Sequence, residues 1–115
     1  MSSHPVSEAA SPPAPSMFLS VSRFAVANEH DAAVRGAFRA RPHLVDASTG
    51  FIRMEVANPC DDAKEFWLLT WWRDEACFDA WHHSHAYRES HAGIPKGLKL
   101  ARGRTERLRL DVFAA

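Results

Sequence analysis

Cysteine is scarce in this chain, and what there is of it excludes a class of sites. Cys60 and Cys77 stand seventeen positions apart, with no CxxC or metal-ligand spacing. That points to a reduced pair and away from a zinc or iron–sulfur centre. No apolar run approaches the ~20 residues that cross a bilayer, and the N-terminus lacks the basic-then-apolar pattern of a signal peptide. The expectation is a cytoplasmic protein with no membrane partner. Charge of one sign is missing too. Lys+Arg and Asp+Glu both number 14, so there is no basic excess of the kind nucleic acid rewards. Nothing resembles a flavin or nicotinamide site.

What is present fits one small domain. The 115 residues bury only about 60–65% of the surface their unfolded chain would expose. A deep cavity is therefore hard to build without a partner subunit. Residues 1–16 hold four of the seven prolines and almost no bulky apolar side chain, which reads as a disordered tail. The folded domain is expected over 17–115.

Within that domain the hydrophobic pattern changes period several times. FLSVSRFAV (18–26) predicts a strand. A helix follows over about 29–41, with Asn28 as its cap, Val34, Ala37 and Phe38 on one face, and Pro42 as its stop. A second strand covers about 50–57, where Ile52, Met54 and Val56 alternate with Arg53 and Glu55. Residues 59–62 form a turn, and EFWLLTWW (65–72) a third strand. Asp74 caps a second helical stretch reaching about His91, stopped by Gly93 and Pro95. A fourth strand spans about 105–113.

The order β-α-β-β-α-β predicts an α+β ferredoxin-like fold, with an antiparallel sheet in the order 4-1-3-2. Strand polarity agrees independently. Strands one and three are apolar on both faces and belong in the centre; strands two and four alternate and belong at the edges. Both helices lie on one side of such a sheet. Trp67, Leu69 and Trp71 then share one face of strand three, and Phe66, Leu68 and Trp72 the other. The helices can cover only one of these. The bare face predicts a homodimer, a dimeric α+β barrel closed by a twofold partner.

The chemistry-bearing residues crowd into FDAWHHSHAYRESH (78–91), with four histidines in its last ten positions. An imidazole on a helix beside an aromatic pocket can ligate haem iron or act as a base near pH 7. His82 and His83 are adjacent and cannot both face inward. Trp81 and His85 are one helical turn apart. Trp81 and His91 are about 80° apart on a straight helix, so a shared pocket demands a kink near His83 and Ser84. Phe78 and Trp81 equally suit an anchor to the sheet, and Cys77 a small buried hydrophobe.

The stretch LLTWWRDEACFDAWHHSHAYRESHAG, with its T-x-W, short turn and F-x-x-W, resembles the antibiotic-biosynthesis monooxygenase superfamily over about residues 17–113. Within it, the haem-degrading branch carries a helix tryptophan followed about ten residues later by an iron-ligating histidine; Trp81 and His91 repeat that spacing. The resemblance implies His91 as axial ligand to haem, Trp81 pressing on the ring and His85 as the rival ligand. The branch's strand-one asparagine is replaced by Ser22, directly before Arg23, whose hydroxyl can still donate a hydrogen bond. Such an oxygenase would need an external electron donor. The alternatives are a cofactor-independent monooxygenase of a quinol- or anthrone-like aromatic, with His85 or His91 as base and Tyr87 or Ser22 as hydrogen-bond partner, and a non-catalytic ligand-binding or dimerisation module.

Overall fold

A computed structural model describes residues 17–90 and 97–115. The proline-rich tail, His91 and the helix stop expected at Gly93 and Pro95 lie outside the described residues. Strands β1 (Met17–Ala25), β2 (Phe51–Ala57), β3 (Glu65–Trp72) and β4 (Glu106–Val112) form one antiparallel sheet in the order β2-β3-β1-β4. This is the ferredoxin-like arrangement, with the two apolar strands central. Helix α1 (Asp31–Arg39) joins β1 to β2; α2 (Glu75–His82) and α3 (His85–Ser90) follow β3.

The register sorts the side chains into two faces. Phe18 pairs with Trp72, Ser22 with Leu68 and Phe24 with Phe66. All of these point toward the helices, because alternate residues of a strand share a face. Trp72 and Phe66 are buried completely or nearly so. Around Trp72 pack Phe18, Val45, Cys77, Phe78 and Trp81. Around Phe66 pack Val26 and Val34, flanked by Phe24 and Phe38. Aromatic edges lock the first cluster: Phe78 meets Trp72 at 5.8 Å and 70° between planes, a geometry favoured by ring quadrupoles.

The opposite face carries Leu19, Val21, Leu69, Trp71, Leu108 and Leu110, placed side by side by the β1–β3 and β1–β4 registers. No described helix packs there. Arg53 lies 4.0 Å over the Trp71 ring and Arg23 4.5 Å over Trp67, so two guanidinium groups shield the indoles.

Local chemistry explains the boundaries. Asp74 caps α2 as expected, its carboxylate accepting from the Cys77 N–H at 2.8 Å. Gly50, whose carbonyl accepts from the Arg73 N–H at 2.7 Å just before that cap, has a φ of +78°, and its missing Cβ leaves room for the Cys77 thiol. Four expectations are corrected. Helix α1 starts at Asp31, and Asn28 does not cap it. Instead the Asn28 amide donates to the Gly97 carbonyl at 2.8 Å and its oxygen accepts from the His30 N–H, forming a turn before the helix. The helix also ends at Arg39, two residues early, and a short 3₁₀ turn at Leu44–Ala47 follows. Its Val45 is buried against Trp72, which the composition of that loop does not announce. In β2 the register shifts between Phe51 and Arg53, so the extra residue, Ile52, leaves the alternation and stands 44% exposed.

Candidate functional site

The second helical stretch is broken at His83–Ser84, and Ser84 is the cause. Its N–H donates to the Trp81 carbonyl three residues back at 2.9 Å, and its hydroxyl donates to the same oxygen at 2.6 Å. That carbonyl is thereby satisfied outside the α-helical ladder. The same hydroxyl oxygen accepts from the Tyr87 N–H at 3.1 Å, which makes Ser84 the cap of α3. One serine ends α2 and starts α3 in a new direction.

The break brings Tyr87 back over α2. Its ring meets Trp81 at 5.8 Å and His82 at 4.7 Å, edge to face in both cases. His82 also stacks on Phe78 at 5.5 Å. From below, β4 supplies two arginines. Ser22 pairs with Arg107 and Ser20 with Arg109 in the β1–β4 register, so both arginines point toward the helices. Arg109 is bound to Glu75 at 2.8 Å and to Asp79 at 2.7 Å. Arg107 donates to His82 Nε2.

That last bond fixes the state of the imidazole. A guanidinium only donates, so Nε2 must be an unprotonated acceptor and the ring proton sits on Nδ1. Burial holds the His82 pKa below the usual histidine value, and the Arg107 charge pushes the same way. A neutral histidine beside a cation can accept a proton once the guanidinium moves aside. The guanidinium, in turn, can stabilise an oxyanion. Ser22, half-buried, stands next to Arg107 on the same sheet face and adds a hydroxyl to the wall.

The residues expected from the sequence are divided by the structure. Trp81 is 8% exposed and belongs to the core cluster, with one edge toward Tyr87. Ser22 faces the helices. His85 does not join them: its side chain is 78% exposed and its Nε2 lies 3.4 Å from Glu89. His91 lies outside the described residues. Sequence reasoning missed His82 and Arg107 as a pair. The available signal was Arg107 and Arg109, two residues apart and so on one face of a strand that borders the helices.

A haem needs one imidazole nitrogen free to take its iron, and most of the described histidines are engaged or turned to solvent. Apart from His82, committed to Arg107, His83 Nδ1 is bonded to the Asp79 carbonyl, His43 pairs with Asp46, and His30 sits beside Gly97. Among the described residues no group of three or more metal-ligating side chains converges.

The family described as antibiotic biosynthesis monooxygenase matches residues 17–93. No protein of curated function matches the sequence. Among solved structures, the haem degrader MhuD of Mycobacterium tuberculosis, with two haems bound in its active site, superposes with a TM-score of 0.68 at 20% identity, over 85% of this chain and 97% of that one. SnoaB of Streptomyces nogalater, a cofactor-independent oxygenase, gives 0.65 at 16% identity, over 84% and 92%. A putative antibiotic biosynthesis monooxygenase of Nitrosomonas europaea gives 0.64 at 15%, over 85% and 89%.

Proposed function

This chain belongs to the antibiotic biosynthesis monooxygenase family, and from that premise we propose that it is a cofactor-independent oxygenase of a quinol- or anthrone-like aromatic. The observation that carries the reading is His82, neutral, with its Nε2 lone pair held by Arg107 beside Ser22. A phenolic or enolic substrate hydroxyl takes the place of Arg107 on Nε2 and gives up its proton there. Arg107 then faces the oxyanion, and Ser22 or Tyr87 supplies a hydrogen bond that orients it. The electron-rich anion itself reduces oxygen. With an anthrone, one oxygen atom of O2 becomes the new carbonyl, the other leaves as water, and the ring CH2 supplies all four electrons. Both the base and the oxyanion partner are worth about 10²–10³ in rate in such sites. His82→Gln and Arg107→Gln should therefore each lower kcat at least tenfold with an anthrone as probe, while the fold, read by circular dichroism, persists. Unchanged kcat in both variants contradicts the assignment.

A haem-dependent oxygenase is the second reading, and one observation favours it: the break at His83–Ser84, which a pocket shared by Trp81 and His91 requires. In that reading His91 would hold the iron, Trp81 would lie against the ring, Ser22 would offer a hydrogen-bond donor, and an external donor would supply electrons. The exposed place of His85 favours His91 over it. Haem supplies the oxygen activation when bound. A haemin titration giving a stoichiometric Soret band, lost in His91→Ala and kept in His85→Ala, selects this reading.

Either way, the reading includes a homodimer joined through the apolar sheet face. Its strip of Leu19, Leu69, Leu108 and the 41% exposed Leu110 is what a second copy would cover. A cytoplasmic setting is part of the same proposal; among the described residues no helix is long and apolar enough to cross a membrane.

A further inference from the structure

Across α2 and β4, Glu75 and Asp79 face Arg107 and Arg109, and the charges are not shared evenly. Glu75 and Asp79 stand four apart on α2 and so lie on one flank. Arg107 and Arg109 alternate onto the helix-facing side of β4. Arg109 takes both acids, Glu75 at 2.8 Å and Asp79 at 2.7 Å. Arg107 meets no acid among the described residues and donates to His82 Nε2 instead. A guanidinium binds a carboxylate more strongly than a neutral imidazole, and Asp79 is one helical turn from His82. Asp79 is therefore the partner that Arg107 is denied.

Arg109 also touches the ring beside the imidazole. Its guanidinium lies 5.3 Å over Phe78 and 5.5 Å over Phe18, and Phe78 stacks on His82. The charged and titratable groups around His82, among the described residues, are Asp79 and His83 on its own helix, Arg107 and Arg109 on β4, and Tyr87 on α3. Burial and the Arg107 charge hold the imidazole uncharged; His83 and Arg109 push the same way, and Asp79 opposes them. The two Arg109 pairs are near half exposed, 41% against 55% and 43%, so they add little to stability. Their effect is on what Arg107 can reach.

We propose that Arg109 is a positioning residue for this site: by occupying Glu75 and Asp79 together it keeps Arg107 off the acids and on His82 Nε2. On the reading of His82 as the base, which this inference deepens, Arg109 thereby keeps the base an uncharged acceptor with a cation beside it.

The test follows the His82 ring signals by NMR in the full chain, isotope-labelled at histidine and assigned by their loss in His82→Gln. In wild type the uncharged ring should carry its proton on Nδ1. Arg109→Gln should raise the His82 titration midpoint by at least about half a pH unit, as Arg107 leaves for Asp79. Adding Asp79→Asn should bring the midpoint back to or below the wild-type value, since Arg107 then stays on the ring. A merely structural tie between α2 and β4 is not restored by removing its second member. Circular dichroism reads the fold of each variant. If Arg109→Gln alone does not fold, Asp79→Asn in the native background decides, and its midpoint should lie below wild type. An unchanged or lower midpoint in folded Arg109→Gln, a rise that Asp79→Asn does not reverse, or a single Asp79→Asn midpoint at or above wild type overturns the proposal. The titration needs no substrate, so it succeeds or fails apart from the oxygenase reading. With an anthrone as substrate, the acid limb of the kcat profile should move up with the midpoint in Arg109→Gln; a limb that stays in place overturns the positioning role.

Discussion

Replacing Trp81 separates a core residue from a pocket wall. In the structure its indole is 8% exposed, packs with Phe18, Trp72 and Phe78, and meets Tyr87 edge to face at 5.8 Å. Truncating such a side chain to alanine removes its burial and leaves a cavity, a loss of about 3–5 kcal/mol. The Tyr87 edge contact accounts for roughly 0.5–1.5 kcal/mol of that. For a domain of this size each kcal/mol moves Tm by about 4–8 °C, so Trp81→Ala should fall by at least about 12 °C. Trp81→Phe keeps an aromatic edge toward Tyr87 and should lose only about 1 kcal/mol. Calorimetry at one fixed protein concentration reads both, since dissociation of a dimer would otherwise enter the result. A loss below about 1 kcal/mol for Trp81→Ala would refute the core placement and return Trp81 to the wall of an open pocket.

Gly50→Ala forces a side chain into a φ of +78° and onto the Cys77 thiol, and should cost about 2–4 kcal/mol in urea unfolding; Cys77→Ala in the same chain should recover part of it, and purely additive losses contradict the steric cause. The His82 pKa is depressed in the folded state, so the folded protein binds fewer protons there than the unfolded one. Its contribution is complete above the ordinary histidine range and is lost as pH falls through the lower folded value. Wild type should thus lose more Tm than His82→Gln between pH 7 and pH 5. That window lies above the range where Asp46, Asp62, Glu65 and Asp74, also depressed, begin to protonate. Leu110→Glu, at a 41% exposed position on the open sheet face, should convert a dimer to a monomer in sedimentation at micromolar concentration; a wild-type monomer there contradicts the interface.

Much of the fold was legible because its signals are local or periodic. Strands β1 and β3 are apolar on both faces and therefore central. Asp74 announces α2 by the spacing of a carboxylate to the N–H groups it caps. The Ile52 bulge and the Val45 turn were not legible, since both depend on what the sheet and α2 present to them. The site was legible only as a crowded stretch. Four histidines in ten residues mark where chemistry could lie, but spacing cannot say which ring turns inward. Ser84 decides that by breaking the helix, and Arg107 decides it by arriving from a strand twenty-five residues away. Position 85 shares a face with Trp81 only on a continuous helix, and the break removes that premise.

Oxygen consumption by haem-free protein tests the central claim most directly. With an anthrone as substrate and a strong chelator present, the account predicts one O2 consumed per anthrone, at a rate unchanged by added haemin and lowered at least tenfold in His82→Gln. No uptake without haemin, together with uptake that appears with haemin and a reductant and vanishes in His91→Ala, would contradict it.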